Sequence, residues 1–187
     1  MATPLVTLEE YKTFAQISSN QQDDRITQLI PMVSFFVKNY CNRKFVDYYN
    51  TAKTEYWSEG GPYFFTDEQP IREVTSVEIK TSPSGDYVLA TENVDYSWDR
   101  AVDCITALNT DGFPVIPNAV KIIYKGGYSD IPEDLKLGVM DLITYYMKGE
   151  SSPRKSLNSN QISVEYVTSA DLPHHIKRVF DLYRIIV

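Results

Sequence analysis

"VKIIYKGGYSDIPEDLKLGVMDLITYYMKGE", residues 120–150, changes its period in the middle. Up to Gly126-Gly127 it is β-branched and aromatic, as a strand is. After the turn "YSDIP" it becomes a helix. Pro132 fits the first helical position, and Glu133 and Asp134 complement the positive end of the helix dipole. Asp134, Gly138, Asp141, Tyr145 and Lys148 form a narrow non-aliphatic stripe, and Leu135, Leu137, Val139, Met140, Leu142, Ile143, Tyr146 and Met147 cover the rest. A helix that apolar belongs in a core, or between a core and a neighbour. The expectation is that copies of the chain cover part of it.

Upstream, Thr7-Leu8-Glu9-Glu10 has the form of a capping box, followed by a short helix through Tyr11, Phe14 and Ala15. Ser19 and Asn20 are candidate N-caps for a second helix, with Asp23 and Asp24 in its first turn. Ile26, Leu29, Ile30, Val33, Phe36, Val37 and Tyr40 make its apolar stripe, which keeps phase across Pro31 and ends near Cys41-Asn42. From Phe45 to about Lys125 the segments "TEYW", "YFF", "VTSVEIK", "DYVLA", "DCITAL" and "VKIIYK" are strand-like and separated by Gly and Pro turns. No crossover helix lies between them, so an antiparallel meander is expected. "GESSPRKSLNSNQ" (149–161) is a polar loop, "ISVEYV" a strand, and a last helix starts near Pro173 with Leu172, Ile176, Val179, Phe180 and Tyr183 on one side. The expected class is α+β: a helical bundle of two N-terminal helices, a central apolar helix and a C-terminal helix, with an inserted antiparallel β meander. The expected division is a core at 1–150 and an extension or arm at 151–187. That last segment either folds back on the meander or orders against a partner.

Chemistry is sparse. The net charge is −7, with 13 Lys/Arg against 21 Asp/Glu in residues 1–149, which disfavours a surface built to grip nucleic acid. Cys41 and Cys104 have neither a disulfide framework nor metal-ligand spacing. His174 and His175 are adjacent, so on a helix they diverge rather than share a metal. Asp95, Asp99 and Asp103 in "DYSWDRAVD" lack the spacing of a calcium loop and read as a solvated charged stretch. Neither G-x-S-x-G nor a phosphate-binding loop occurs. The expectation is no catalytic residue, no cofactor and no metal. The N-terminus lacks the layout of a signal peptide and no run is long enough to span a bilayer, so a cytosolic origin is expected. Trp57, Trp98 and the 14 tyrosines suit a sheet core and protein contacts, with a sugar-binding aromatic platform as the alternative.

"VTLEEYKTF…DDRITQLIPMVSFFVKNYCNRKF" resembles the N-terminal helical pair of tailed-bacteriophage head–tail connector (adaptor, or head completion) proteins, through Leu8, Glu9, Glu10, Lys12, Asp23, Asp24, Leu29, Ile30, Val37, Tyr40, Arg43 and Phe45. "QPIREVTSVEIKTSPSGDYV" and the quoted 120–150 stretch are similar to that family's strand-and-turn and its entry into the next helix. The resemblance covers most of residues 5–150. Pro31 and Cys41 replace small residues, and residues 151–187 extend past the common core.

The resemblance implies a structural virion protein forming a ring, dodecameric in the virion, under the portal. Such a ring extends the DNA channel and docks the next neck, stopper or tail protein. Its partners would be portal, that next protein, other copies of itself, and double-stranded DNA passing without specific binding; no membrane is involved. The protein would assemble in the host cytoplasm and end in the neck of the virion. Candidate subunit or portal contacts are Leu137, Met140, Tyr145 and Met147 on the apolar helix, Arg154 and Lys155 in the loop, and Ile176, Phe180 and Tyr183 on the last helix. The alternatives are another phage neck or tail-completion protein, or a carbohydrate-binding module.

Overall fold

Thr7 and Glu10 begin the fold as a reciprocal cap. Glu10 N–H donates to Thr7 Oγ1 (3.2 Å) and Thr7 N–H to Glu10 Oε2 (2.7 Å). The structure is a computed structural model and describes residues 3–148, 154–158, 161–165 and 172–185. The fold is α+β, with four helices and antiparallel sheets among the described residues. By packing, the chain divides into a helical unit (1–43 and 131–187) and a strand unit (44–130), not at the expected boundary of 150/151.

The helical unit contains α1 (Leu8–Phe14), α2 (Asp23–Tyr40), α3 (Glu133–Met147) and α4 (His174–Asp181), numbered in chain order. Helix α2 buries Ile26, Ile30, Val33 and Val37, as its periodicity predicts. Pro31 sits on the exposed side and the helix continues through it. Its N-cap is Gln22, without a side-chain cap, rather than Ser19 or Asn20. Lys12 Nζ takes the nearby acceptors instead, donating to Asn20 Oδ1 (2.7 Å) and Asp23 Oδ1 (2.8 Å).

Helix α3 buries Leu135, Gly138, Val139, Leu142 and Ile143. Gly138, expected on the polar stripe, is where α4 crosses. A Cβ there would lie 3.0 Å from Phe180 Cε1 and 3.2 Å from Val179 Cγ1, so the missing side chain is what admits α4. Helix α2 also packs on α3, so much of the all-round apolarity is satisfied within the chain. Tyr40 Oη and Tyr183 Oη donate to Asp181 Oδ1 and Asp134 Oδ1 (2.6 Å each), and Ile185 N–H to Cys41 O (3.0 Å). Within the helical unit, the C-terminal helix thus docks on α2 and α3. Two further strands, β8 (Arg154–Asn158) and β9 (Gln161–Glu165), pair as an antiparallel hairpin. The stretch 149–161, expected as a polar loop, carries β8 at 154–158; apart from β8 and the backbone of Gln161 its residues lie outside the described ones.

The strand unit holds β1 (Lys53–Trp57), β2 (Tyr63–Phe65), β3 (Ile71–Ile79), β4 (Val88–Ala90), β5 (Tyr96–Asp99), β6 (Cys104–Ala107) and β7 (Val120–Gly126). It is not a meander. One sheet runs β1-β7-β3-β4 and the other β2-β6-β5, so the first strand of the unit pairs with the last. β7 owes its central place to alternation: Val120, Ile122, Tyr124 and Gly126 are buried, Lys121, Ile123 and Lys125 half-exposed. Phe64, Ile105 and Tyr96 of the second sheet join Val77, Val120, Ile122 and Tyr124 of the first in one core. β5 lies in the stretch expected to be solvated. Its Tyr96 turns inward although aspartates flank it, with Asp95 and Asp99 held by the backbone N–H groups of Thr91 and Ala101. At the end of β7, Gly127 has φ 95° and a Cβ there would collide with Phe45 O, which needs glycine twice over. Gly126, by contrast, is required by the close approach of Glu68 O.

Candidate assembly interface

The most exposed apolar surface among the helices lies on α2. Met32, Phe35 and Phe36 are 66%, 58% and 40% exposed, while the opposite face of the same helix fills the core. Residues 26–37 contain no charged side chain, although Thr27, Gln28, Pro31, Met32, Phe35 and Phe36 all face solvent. Phe36 stacks on Tyr40 (6.3 Å between centroids), which lengthens the patch toward the helix end. Sequence periodicity assigns Phe36 to the core and passes over Met32 and Phe35. The legible signal is the twelve-residue run without charge, since an ordinary outer helix face carries some.

Of the residues expected at an interface, Leu137 is 45% exposed, and Met140, Tyr145, Met147 and Tyr183 are half-buried. Ile176 and Phe180 are 2% and 0% exposed and pack inside their own unit, so they are closed to a partner while α4 stays docked. Arg154 and Lys155 stand on β8, and their side chains lie outside the described residues. Of the seven positions whose side chains are described, only Leu137 is exposed, so these seven do not form one open patch.

Charge is divided unevenly. Residues 44–130 carry 7 Lys/Arg against 14 Asp/Glu, the whole net −7, whereas the helical unit carries 11 against 11. On the outer face of the first sheet Lys121 pairs with Glu78 and Lys125 with Glu73 (3.0 Å each). Two exposed apolar residues of this unit stand beside carboxylates: Leu89 pairs with Glu78, and Phe65 shares a sheet face with Asp99 across Cys104.

Inside the strand unit lies a polar cluster that could pass for a catalytic one. Lys53 Nζ is 2.5 Å from Glu55 Oε1 and 3.0 Å from Asp67 Oδ2. Tyr124 Oη donates to Glu55 Oε1 (2.6 Å) and accepts from Glu68 N–H (3.0 Å). The Glu68 carboxylate accepts from Lys44 N–H (2.7 Å) and Phe45 N–H (3.2 Å). Burial pushes the Glu55 carboxyl up, opposed by its hydrogen bonds from Lys53 and Tyr124. Burial, with Glu55 close by, holds the Tyr124 phenol far above its ordinary range. These groups satisfy one another and tie strands together, a structural role.

Burial raises the Cys41 thiol to about 12, so it is a packing group rather than a nucleophile. Cys104 is also a buried free thiol. His174 and His175 are exposed side by side on α4. Among the described residues no three His, Cys, Asp or Glu gather as a metal set, and no helix is long and apolar enough to cross a membrane. Trp57 stacks on Phe64 (5.6 Å), and Arg100 covers the Trp98 ring at 4.2 Å, so neither indole belongs to an open aromatic platform.

With this geometry the chain can be set beside known proteins. The family model described as "head completion protein" matches residues 4–186. No curated protein matches in sequence. Among solved structures, a chain from the virion of a native gene transfer agent (GTA) particle superposes with a TM-score of 0.59 at 13% identity, covering 98% of this chain and 91% of that one. A chain from the neck of the native GTA particle computed with C12 symmetry gives 0.56 at 14%, covering 100% and 96%. One from the neck of the empty particle, computed with C6 symmetry, gives 0.56 at 14%, covering 98% and 91%. At these identities the likeness is one of fold.

Proposed function

This chain belongs to the head completion protein family, and from that premise we propose that it is a structural subunit of a phage-type head–tail neck, an adaptor that rings the exit of the portal. The ring extends the DNA channel and offers its far side to the next neck or tail protein. Twelve copies are the expected number, in keeping with the C12 symmetry used for the neck that contains a chain of similar fold. Assembly takes place in the host cytoplasm before the particle is complete.

The observation that carries this reading is the separation of charge. A helical unit with no net charge suits contact between copies, because neighbours there do not repel. An acidic strand unit suits a channel for DNA, since a basic wall would hold phosphates and retard the genome. The protein does no chemistry in this role. Its residues shape a surface and keep it rigid.

Electron microscopy of purified portal mixed with the purified protein tests the proposal. A ring of extra density coaxial with portal is expected. A stable small oligomer that ignores portal contradicts it.

A further inference from the structure

We propose that the charge-free face of α2, centred on Met32, Phe35 and Phe36, is where one copy of this chain packs against the next; the inference rests on the ring reading and adds the contact surface to it. Two observations select a second copy as the occupant. The first is charge. Copies repel through strand units of −7 each, so a contact between them is cheapest on the neutral unit and on a face that adds no charge of its own. Residues 26–37 are such a face, and Met and Phe are among the residue types enriched where proteins meet. In the strand unit, exposed Leu89 stands opposite Glu78 and exposed Phe65 is in line with Asp99, within the half of the chain that carries the whole −7.

The second observation is area. Met32, Phe35 and Phe36 at these exposures offer roughly 350 Å² of apolar surface. A stable pair of proteins needs about 800 Å² from each partner. The α2 face is therefore too small to hold a stable dimer in free solution and supports only weak association there. It suffices as one of many identical contacts on a template that holds the copies side by side, where each is effectively intramolecular. A closed ring is built head to tail, so this face meets a different surface of its neighbour, not its own image.

Two experiments on the full chain test it. In the free protein, sedimentation at rising salt should show weak self-association that strengthens as the −7 is screened. Phe35→Glu and Met32→Glu should each weaken it about tenfold or more. Both residues are exposed, so the melting temperature should hold, which separates lost contact from lost fold. In assembled particles, Phe35→benzoylphenylalanine should on irradiation give a ladder of multiples of the 21.4 kDa chain. Salt-promoted association untouched by both variants overturns the inference. So do cross-links only to another virion protein, which would make α2 a docking face for that partner, and so does the absence of both association and ladder. If α2-dependent association is found but no ring forms on portal, the ring reading fails while the contact surface stands.

Discussion

Eleven basic side chains meet eleven acidic ones in the helical unit; in the strand unit seven meet fourteen. The two units also treat apolar surface differently. The helical unit leaves a charge-free band of Met and Phe open on α2, whereas the strand unit sets its exposed Leu89 and Phe65 among carboxylates and lines a sheet face with Lys–Glu pairs. On the proposed reading, the neutral half touches its own kind and the acidic half stays apart from it and from phosphates. Neither half needs a reactive group for that.

The contrast between the units is tested hardest at the α3–α4 contact. Phe180→Ala should cost the helical unit about 3–5 kcal/mol, read by urea unfolding, because the ring is fully buried over Gly138. Truncation after Gly149 should likewise destabilise that unit; an unchanged melting temperature would return α4 to the role of a detachable arm. Next in size is Glu68→Ala in the strand unit. It strips the acceptor from two backbone N–H groups and should cost about 3 kcal/mol, with hydrogen exchange accelerating at Lys44 and Phe45.

Acid should move the two units in opposite directions through two particular carboxyls. The hydrogen bond from Thr7 N–H lowers Glu10, so its contribution to the helical unit is present above the usual carboxylate range and lost as pH falls through the lowered value. Burial raises Glu55, so the folded strand unit holds that proton more tightly than the unfolded chain. Its contribution is full below the unfolded pKa of about 4.3 and lost as pH rises through the raised value. Glu10→Gln should flatten the acid side of the helical unit's stability profile, and Glu55→Gln the opposite slope in the strand unit. Exchange rates resolved by unit, measured at mildly acidic and neutral pH, check both signs. The smallest effect is at the exposed histidines: His174→Ala and His175→Ala should each stay within about 0.5 kcal/mol of the parent and leave particles infectious.

Local chemistry is legible in the sequence where it is self-contained. The Thr7–Glu10 cap, the inner stripe of α2, the turn at Gly127 and the start of α4 after Pro173 all depend on neighbours a few residues away. What escapes depends on partners far along the chain. Nothing near Lys53 announces that β1 pairs with β7, and nothing near Tyr96 outweighs the aspartates around it until Ala107 is known to lie opposite. For α3, the glycine in an apolar helix marks a crossing helix, although its spacing fits a polar stripe equally well. The burial of two expected interface residues escapes the sequence for the same reason. Ile176 and Phe180 look in need of a partner, and the partner is α3 of their own chain.

The ring itself is the decisive object. Purified portal is incubated with the parent chain or with Phe35→Glu, imaged by electron microscopy, and the copies per portal are counted. A closed coaxial ring is expected with the parent, its helical units in mutual contact, and partial arcs or isolated copies with the variant. A parent chain that leaves portal bare, or a closed ring whose copies touch through their acidic strand units, would contradict the division of roles between the two units.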